Sequence, residues 1–267
     1  MRRRLAAAVQ ALLVAGCAAG CAPLRTQPPL REEAPPCAAP APPAPETAIC
    51  GRDEAIRSLR ARFRADVEAG GGTRTAEGVL VWRAPGALRV KLFTLAGLTV
   101  YDALLVGDGT RVRGVVKQPL AARSETFDVG PDETVDAPDT DLSLVLWSLW
   151  QPRCGRPPAV SSMDPARFAL DPDPARANGR EVMVEGAEVR EEVLERASAT
   201  NGSAERVVAR YTDYDCTQTP PLPRRIEIEA SASGWRARVT ILEQARNVAL
   251  DDALFALPEV TSGDAES

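Results

Sequence analysis

The six cysteines are the side chains of this sequence with the most distinctive chemistry. The chain contains no histidine, which removes the commonest general base and the commonest metal ligand together. It has no Cys-x-x-Cys pair, so thiol redox catalysis is not expected. Glycine loops that bind phosphate and the nucleophile elbow of hydrolases are also missing from the sequence. The sequence therefore predicts a protein that is not an enzyme and that uses no metal and no cofactor.

The first two cysteines follow a segment with the order of an export signal. Three arginines at positions 2–4 precede an apolar run from Leu5 to Val14, and small residues then lead to Cys17. The apolar run is about ten residues long, whereas a helix that spans a bilayer needs about 20. Residues 1–16 are therefore predicted to be a signal peptide and not a membrane anchor.

The stretch from Val14 to Cys17 is similar to a bacterial lipobox, in which the cysteine receives a diacylglyceryl group and becomes the new N-terminus. Cys21, after Ala19 and Gly20, is an alternative site. Val14 is an apolar residue three positions before Cys17, which favours lipid attachment at Cys17. Attachment at Cys21 would leave an even number of thiols for disulfides, which favours Cys21. Alanine, not aspartate, follows either cysteine, which favours the outer membrane in the enteric-type sorting rule. We expect an outer-membrane lipoprotein that faces the periplasm and is anchored through Cys17, or alternatively Cys21.

Residues 17–50 are dominated by proline and alanine and contain few large apolar side chains. Such a segment cannot bury enough apolar surface to fold, and its prolines extend it by about 3 Å per residue. We expect a disordered but stiff tether that holds one folded domain, residues 51–258, away from the membrane. Residues 259–267 are expected to form a disordered tail.

The folded domain is predicted to open with a helix at Arg52. Its apolar residues recur at a spacing of three to four, with charged residues between them: Ile56, Leu59, Phe63 and Val67. Short runs with strand composition follow at 78–83, 88–94, 99–106, 110–117 and 125–129. Since turns rich in Gly, Pro or Asp separate most of them, the sequence predicts a meander of antiparallel hairpins.

A second helix is predicted over 139–150, where the apolar residues return to helical spacing behind an Asp/Thr N-cap. Strand composition resumes at 180–184, 189–196, 205–214, 225–230 and 235–242. The last two runs are predicted to form a hairpin. Ile226 and Ile228 alternate with charged residues, as in a sheet with one buried face. The predicted fold class is mainly β with a few helices (α+β).

The net charge of −5 gives no long-range attraction for nucleic acid or for anionic lipid headgroups. Nucleic acid is therefore excluded as an expected partner. The mature length can bury one substantial core, which favours a single globular domain, and we expect a monomer.

Four cysteines lie beyond the export segment: Cys37, Cys50, Cys154 and Cys216. Paired thiols in an oxidising compartment usually form disulfides. Cys154 follows the predicted central helix and Cys216 follows a predicted strand, so a bridge between these two would pin the helix to the sheet. Four cysteines allow three connectivities, and Cys154–Cys216 is our hypothesis among them.

Several stretches, in a shared order, carry a resemblance to a known fold. They are 78–82 before a proline turn, 88–92 running into 95–98, Tyr214-Asp215 followed by 220–228, and the ending 247–258. Together these stretches resemble the LolA/LolB lipoprotein-carrier fold over about residues 52–258, and the lipid anchor resembles that of LolB-type outer-membrane lipoproteins. The resemblance implies an incomplete antiparallel β-barrel, or half-barrel, with helices capping an apolar concave face that accepts the acyl chains of lipoproteins.

The resemblance further implies that alternating apolar side chains line this cavity. The candidates are Trp82, Leu92, Val106, Leu146, Trp150, Ile226, Ile228, Val239 and Ile241. Taken one at a time, these residues fit an ordinary core position better than a ligand site. The implied partners are the membrane lipid around the anchor and an acylated lipoprotein or a periplasmic carrier protein.

Leu95 and Leu98 are predicted to lie at a hairpin tip. In LolB-type proteins an apolar loop at this place helps to pass the lipoprotein into the membrane, and exposed leucines at a turn suggest contact with a partner. This chain has Leu95 where a proline is common. Two functions follow: a protein that binds acyl chains and aids lipoprotein localisation, or a structural or assembly lipoprotein whose cavity is filled and which holds a protein partner.

Overall fold

The computed structural model describes residues 49–51, 53, 55–69, 71–107, 111–129, 160–162, 167–170, 180–186, 188–197, 204–217, 219–231 and 234–257. These residues form the strands β1 (Ser58–Ala69), β2 (Gly72–Arg83), β3 (Ala87–Phe93), β4 (Thr99–Gly107), β5 (Val112–Gln118), β6 (Arg123–Val129), β7 (Val160–Ser162), β8 (Arg167–Leu170), β9 (Arg180–Glu185), β10 (Glu188–Ala197), β11 (Ala204–Asp215), β12 (Leu222–Ala230) and β13 (Arg236–Arg246). Two short 3-10 helices span Pro119–Ala121 and Asp252–Phe255.

All thirteen strands belong to one antiparallel sheet. Its order is β6-β5-β4-β3-β2-β1-β13-β12-β11-β10-β9-β8-β7, so two meanders meet where β1 pairs with β13. The end strands β6 and β7 do not pair with each other, and the sheet formed by the described residues is therefore open. The predicted class is confirmed: the chain is mainly β, with the architecture of an incomplete antiparallel barrel.

The helix predicted from Arg52 through Val67 is wrong, because β1 occupies most of it. Among the described residues of this region, helical backbone is found at 49–51, 53 and 55. Positions 59, 63 and 67 are spaced by four, which fits one face of a strand as well as one face of a helix. Ala61 and Ala65 complete the inward set of the strand, and the arginines at 60, 62 and 64 are exposed between them.

The folded domain also begins earlier than its predicted boundary at residue 51. Ile49 and Cys50, which the sequence assigns to the tether, are both buried in a core cluster that includes Phe168 and Val182. The rest of the tether, the signal peptide, the helix predicted over 139–150 and the tail lie outside the described residues.

The remaining strand predictions each fall on an observed strand, although β2 begins six residues before its predicted start and β13 ends four residues after its predicted end. Each of the runs 78–83 to 125–129 coincides with one strand from β2 to β6, and each of the runs 180–184 to 235–242 with one strand from β9 to β13. The predicted hairpin at the end of the chain is confirmed by the pairing of β12 with β13. The short strands β7 and β8 were not predicted, because they lie in a loop-like stretch rich in Pro, Asp and Arg.

The sheet has two distinct faces. We call the face that carries the two large apolar clusters the inner face, and the opposite one the outer face. One cluster belongs to β1–β5 and the other to β8–β13, and Val67 and Val239 pack against both. At two glycines of the inner face, an aromatic ring packs directly on the backbone. Phe63 covers Gly78, and Phe127 covers Gly114. A Cβ added at Gly114 would lie 2.6 Å from the ring carbon Cε1 of Phe127. A side chain at either glycine would displace its ring.

Candidate functional site

Two transverse rows of side chains cross the inner face of the first meander. Because directly paired residues of antiparallel strands share a face, the register defines both rows. The lower row consists of Leu105, Leu88, Trp82, Leu59 and Arg246, and the upper row of Ala103, Val90, Leu80, Ala61 and Gln244. Eight apolar side chains therefore end in two polar ones on β13.

The structure brings most of the described cavity candidates to this inner face. Trp82, Leu92 and Ile241 belong to or pack against the cluster of β1–β5, and Ile226 and Ile228 belong to the cluster of β8–β13. Val239 packs against both clusters. These positions establish a shared face, while their role in ligand binding stays a prediction. Leu146 and Trp150 lie outside the described residues.

Val106 does not belong with the other candidates. It packs against Val81, Ala87 and Leu104 on the outer face, in a separate cluster that also contains Phe255 of the C-terminal segment. The apolar run from Ala103 to Val106 hides the alternation of the strand, so the sequence does not show which of its residues face inward.

The C-terminal segment after β13 crosses the outer face of β2–β4. Arg89 connects the two, because its Nε and Nη2 donate to the Asp102 carboxylate at 3.0 and 2.9 Å and its Nη1 donates to the Leu254 carbonyl at 3.1 Å. Burial is the largest single effect on Asp102 and acts to raise its pKa. The hydrogen bonds and positive charges around the carboxylate together outweigh burial, so the pKa of Asp102 is lowered. The outer apolar patch is thereby covered by the chain itself.

A buried ion pair lies on the inner face of the second meander. Glu192 is fully buried; its Oε1 accepts a hydrogen bond from Arg180 Nε at 2.7 Å and its Oε2 accepts one from the Tyr211 hydroxyl at 3.1 Å. The sequence analysis missed this group, since a bulge between Val189 and Glu191 changes which residues of β10 face inward. The surrounding inner face is apolar, so the pair is a local polar site within it.

A second polar group lies at the lower edge of the sheet, where β11 turns into β12. Asp215 is buried and accepts hydrogen bonds from the Thr217 hydroxyl (2.6 Å), the Thr217 amide (3.1 Å) and Arg224 Nη2 (3.2 Å). The bond from the Thr217 hydroxyl is the largest of the effects that lower the pKa of Asp215 to about 2. Asp215 is thus a carboxylate whose charge is already compensated locally.

Substituting Asp215 with asparagine is expected to lower the free energy of unfolding by about 1–2 kcal/mol at pH 7. The pKa of Asp215 is depressed on folding, so its contribution is present above the ordinary aspartate value near 3.8 and is lost as the pH falls through about 2. Urea unfolding of both proteins at pH 7 and pH 2 measures the difference. The exposed Glu195→Gln variant is the control. A deficit of Asp215→Asn that persists undiminished at pH 2 would contradict the assignment.

The turn between β3 and β4 presents two exposed leucines. The side chains of Leu95 and Leu98 are 82% and 56% exposed. The turn is closed by hydrogen bonds from the Thr94 amide to the Leu98 carbonyl at 2.9 Å and from the Gly97 amide to the Thr94 carbonyl at 2.8 Å, with Gly97 at a φ of 81°. The leucines therefore project from a well-defined turn, and the predicted exposure at a hairpin tip is confirmed.

A third exposed leucine lies at the same edge of the sheet. Leu120 belongs to the 3-10 helix between β5 and β6. Turns that follow alternate strands of an antiparallel meander lie at one edge, so the β3–β4 and β5–β6 turns are on the same side. The β3–β4 and β5–β6 turns thus both expose leucine at the upper edge of the first meander.

Within the described part of the chain, two surface cavities lie away from the cavity candidates. One of about 720 Å³ is open and charged, and lies between the ends of the β1–β2 and β12–β13 hairpins, where Arg206, Arg210 and Arg236 contribute to its lining. The other, of about 370 Å³, lies at the lower edge between Pro85 and Leu250. Neither is lined by a predicted cavity residue. None of the helices in the described part of the chain has the length and apolar composition to cross a membrane.

Cys216 and Cys50 are both bonded in disulfides. Cys154 lies outside the described residues, as do the candidate lipidation sites Cys17 and Cys21. The pairing of Cys154 with Cys216 therefore stays a prediction, and so does the site of lipid attachment.

Comparison with known proteins identifies the fold from structure alone. No family model matches the sequence, and no curated protein matches it either. Among solved structures, a LolA superfamily protein from Nitrosomonas europaea is 14% identical with a TM-score of 0.50, over 79% of this chain and 97% of that one. A DUF1329 family protein from Desulfovibrio piger is 10% identical with a TM-score of 0.53, over 81% and 98%.

A third similar structure is a domain from Vibrio parahaemolyticus named for outer-membrane lipoprotein sorting. It is 9% identical with a TM-score of 0.54, over 77% of this chain and 92% of that one. The open antiparallel sheet described above is therefore shared with these three domains. The chain has a LolA/LolB-like fold.

Proposed function

We propose that this protein is a periplasm-facing lipoprotein of the outer membrane that binds acyl chains on its inner face and aids the localisation of acylated proteins. The observation that carries the proposal is the combination of an open sheet with an extended apolar inner face and a turn that exposes Leu95 and Leu98. An apolar face accommodates acyl chains, and exposed leucines at a defined turn favour contact with lipid. The resemblance in fold to lipoprotein-sorting domains supports the same role.

In this role the protein binds its partners and catalyses no reaction. Its partners are the membrane lipid around the N-terminal anchor, at Cys17 or Cys21, and an acylated lipoprotein or the carrier that delivers it. Binding in this picture is non-covalent, and its strength scales with the apolar area that the acyl chain buries.

Mass spectrometry of lipids that co-purify with the full chain tests the proposal. We expect acyl lipids to be bound to the wild-type protein and to be depleted in Leu92→Glu, which places a charge among half-buried inner-face side chains. The matched control is Thr126→Glu at an exposed position of β6, which we expect to retain lipid. Lipid-free wild-type protein that also fails to transfer a lipoprotein to liposomes would refute the proposal.

One observation favours the alternative, a structural or assembly lipoprotein whose interior is filled. Leu88 and Leu105 of the lower row are fully buried, as in an ordinary core. In that case the inner face has no room for a ligand, and the exposed leucines contact a protein. Equal lipid content in Leu92→Glu and wild type, together with capture of the same envelope protein by both, would support this alternative.

A further inference from the structure

The lower end of β13 turns two polar side chains toward the inner face. A bulge at Leu242 leaves this residue unpaired between Ile241 and Glu243, so the alternation of the strand shifts by one position. As a result Gln244 and Arg246 share the face of Ala61 and Leu59, opposite which they are paired. Without the bulge, the smaller Ala245 would point inward.

The guanidinium of Arg246 is only partly satisfied. Its Nη1 donates to the carbonyl of Pro220 in the turn between β11 and β12. Its Nε and Nη2 are buried, and neither has a hydrogen-bond acceptor among the described residues. The same holds for Nε2 of Gln244, two residues away on the same face. Buried donors without acceptors are costly and uncommon, so three of them close together call for an explanation.

The two unsatisfied nitrogens of Arg246 form one edge of the planar guanidinium. This edge presents two parallel N–H groups, which match two oxygens of a phosphate or carboxylate in a bidentate contact. Gln244 is about 7 Å away along the strand, from the rise of a strand over two residues. Its amide adds a third donor, and a phosphate offers more than two oxygens to such a set.

The local charge also favours an anion. Asp215 lies close enough to attract Arg246, but its carboxylate is already bonded to Thr217 and to Arg224. Two guanidinium groups therefore surround one carboxylate. Burial lowers the pKa of Arg246 and outweighs the opposing attraction by Asp215, as expected for a cation that lacks a full counter-charge.

The apolar row that ends at Arg246 indicates that the ligand carries apolar chains as well as an anionic group. Leu59 and Trp82 lie next to Arg246 along the lower row, and Leu222 of the same cluster starts β12 near Pro220. We propose that Arg246 and Gln244 bind the phosphate of a phospholipid headgroup whose acyl chains lie along the inner face. This inference rests on the proposed function, because it needs the inner face to accept the chains.

Competition between two matched probes tests the inference on the full chain. Pyrene-labelled phosphatidylglycerol and pyrene-labelled diacylglycerol carry the same chains and differ in the phosphate. We expect the wild-type protein to prefer phosphatidylglycerol by about tenfold, because a charge-assisted bidentate contact is lost with the phosphate. Arg246→Met should abolish the preference and leave diacylglycerol binding unchanged, and Arg246→Lys should retain part of it. Arg238→Met, which removes a guanidinium from the outer face of the same strand, is the control and should keep it.

The outcomes separate this inference from the proposed function. Failure of wild type to bind either probe would refute the acyl-binding face itself. Equal affinity of the wild-type protein for the two probes, or an unchanged preference in Arg246→Met, would overturn only the phosphate site. A last measurement uses inorganic phosphate as a stabiliser against thermal unfolding. If phosphate protects wild type but not Arg246→Met, and the two probes bind equally, the site takes free phosphate. The assignment to a phospholipid headgroup is then wrong. Should Arg246→Met fail to fold, Gln244→Leu is expected to reduce the preference in its place.

Discussion

Replacing both Leu95 and Leu98 with glutamate is expected to weaken association of the protein with lipid vesicles by at least about 100-fold. Transfer of an exposed leucine into an apolar environment contributes about 1.5–3 kcal/mol, and each 1.4 kcal/mol corresponds to a factor of ten. Both side chains project from a turn fixed by backbone hydrogen bonds, so they can enter a bilayer without rearrangement. The loss should therefore appear in membrane affinity and not in the stability of the fold.

Vesicle flotation of the full chain, made with serine at positions 17 and 21 so that no lipid is attached, measures this affinity. The matched control is Leu242→Glu, since Leu242 is 47% exposed but lies at the bulge of β13 and not at the upper edge. We expect the control to float with vesicles as well as the parent. A double glutamate variant that still floats normally would show that the leucines serve another contact.

Substituting Glu192 with glutamine is expected to lower the free energy of unfolding by about 3 kcal/mol or more. The change removes the charge that compensates Arg180 within an apolar face, and a buried cation without its counter-ion costs far more than a lost surface pair. Glu192 is fully buried and Arg180 is largely so, which leaves little water to replace the carboxylate.

A double substitution distinguishes this desolvation effect from a loss of shape. Removing both charges, with Arg180→Met and Glu192→Leu, should recover most of the stability, because an apolar pair of similar volume often equals a buried ion pair. On the outer face, Glu227→Ala breaks the exposed pair with Arg238 and should cost less than about 1 kcal/mol. Chemical denaturation of the four proteins gives the comparison. A double variant as unstable as Glu192→Gln would argue against the explanation.

The sequence predicted the fold class because its strands are short, alternating and separated by strong turn residues. It failed at β1, where apolar residues four apart satisfy the helical and the extended period alike, and only pairing with β2 and β13 decides between them. The turn carrying Leu95 and Leu98 was predictable for the opposite reason. A glycine between two apolar residues and two clear strands leaves few alternatives to a hairpin tip.

The polar groups of the inner face could not be predicted, and both failures have one physical cause. A bulge precedes Glu192 on β10, and another precedes Gln244 and Arg246 on β13. Each bulge exchanges the inward and outward sets of the residues that follow, and nothing in the local composition marks its position. Val106 shows the related difficulty that four consecutive apolar residues carry no information about which face they occupy.

The pairing of β1 with β13, which we call the seam, joins the first and last strands of the sheet, so it can form only after the last strand is available. Leu59 and its partner Arg246 are 187 residues apart in the sequence, whereas most other strands pair with a neighbour in sequence. Loop closure on this scale is slow compared with hairpin formation, so each meander can assemble before the seam closes. During synthesis from the N-terminus, β1 has only one of its two flanking strands until β13 has been made. The two halves of the sheet therefore become a single cooperative unit only in the final step of biogenesis, and a truncation at the C-terminus would remove the centre of the sheet and not its edge.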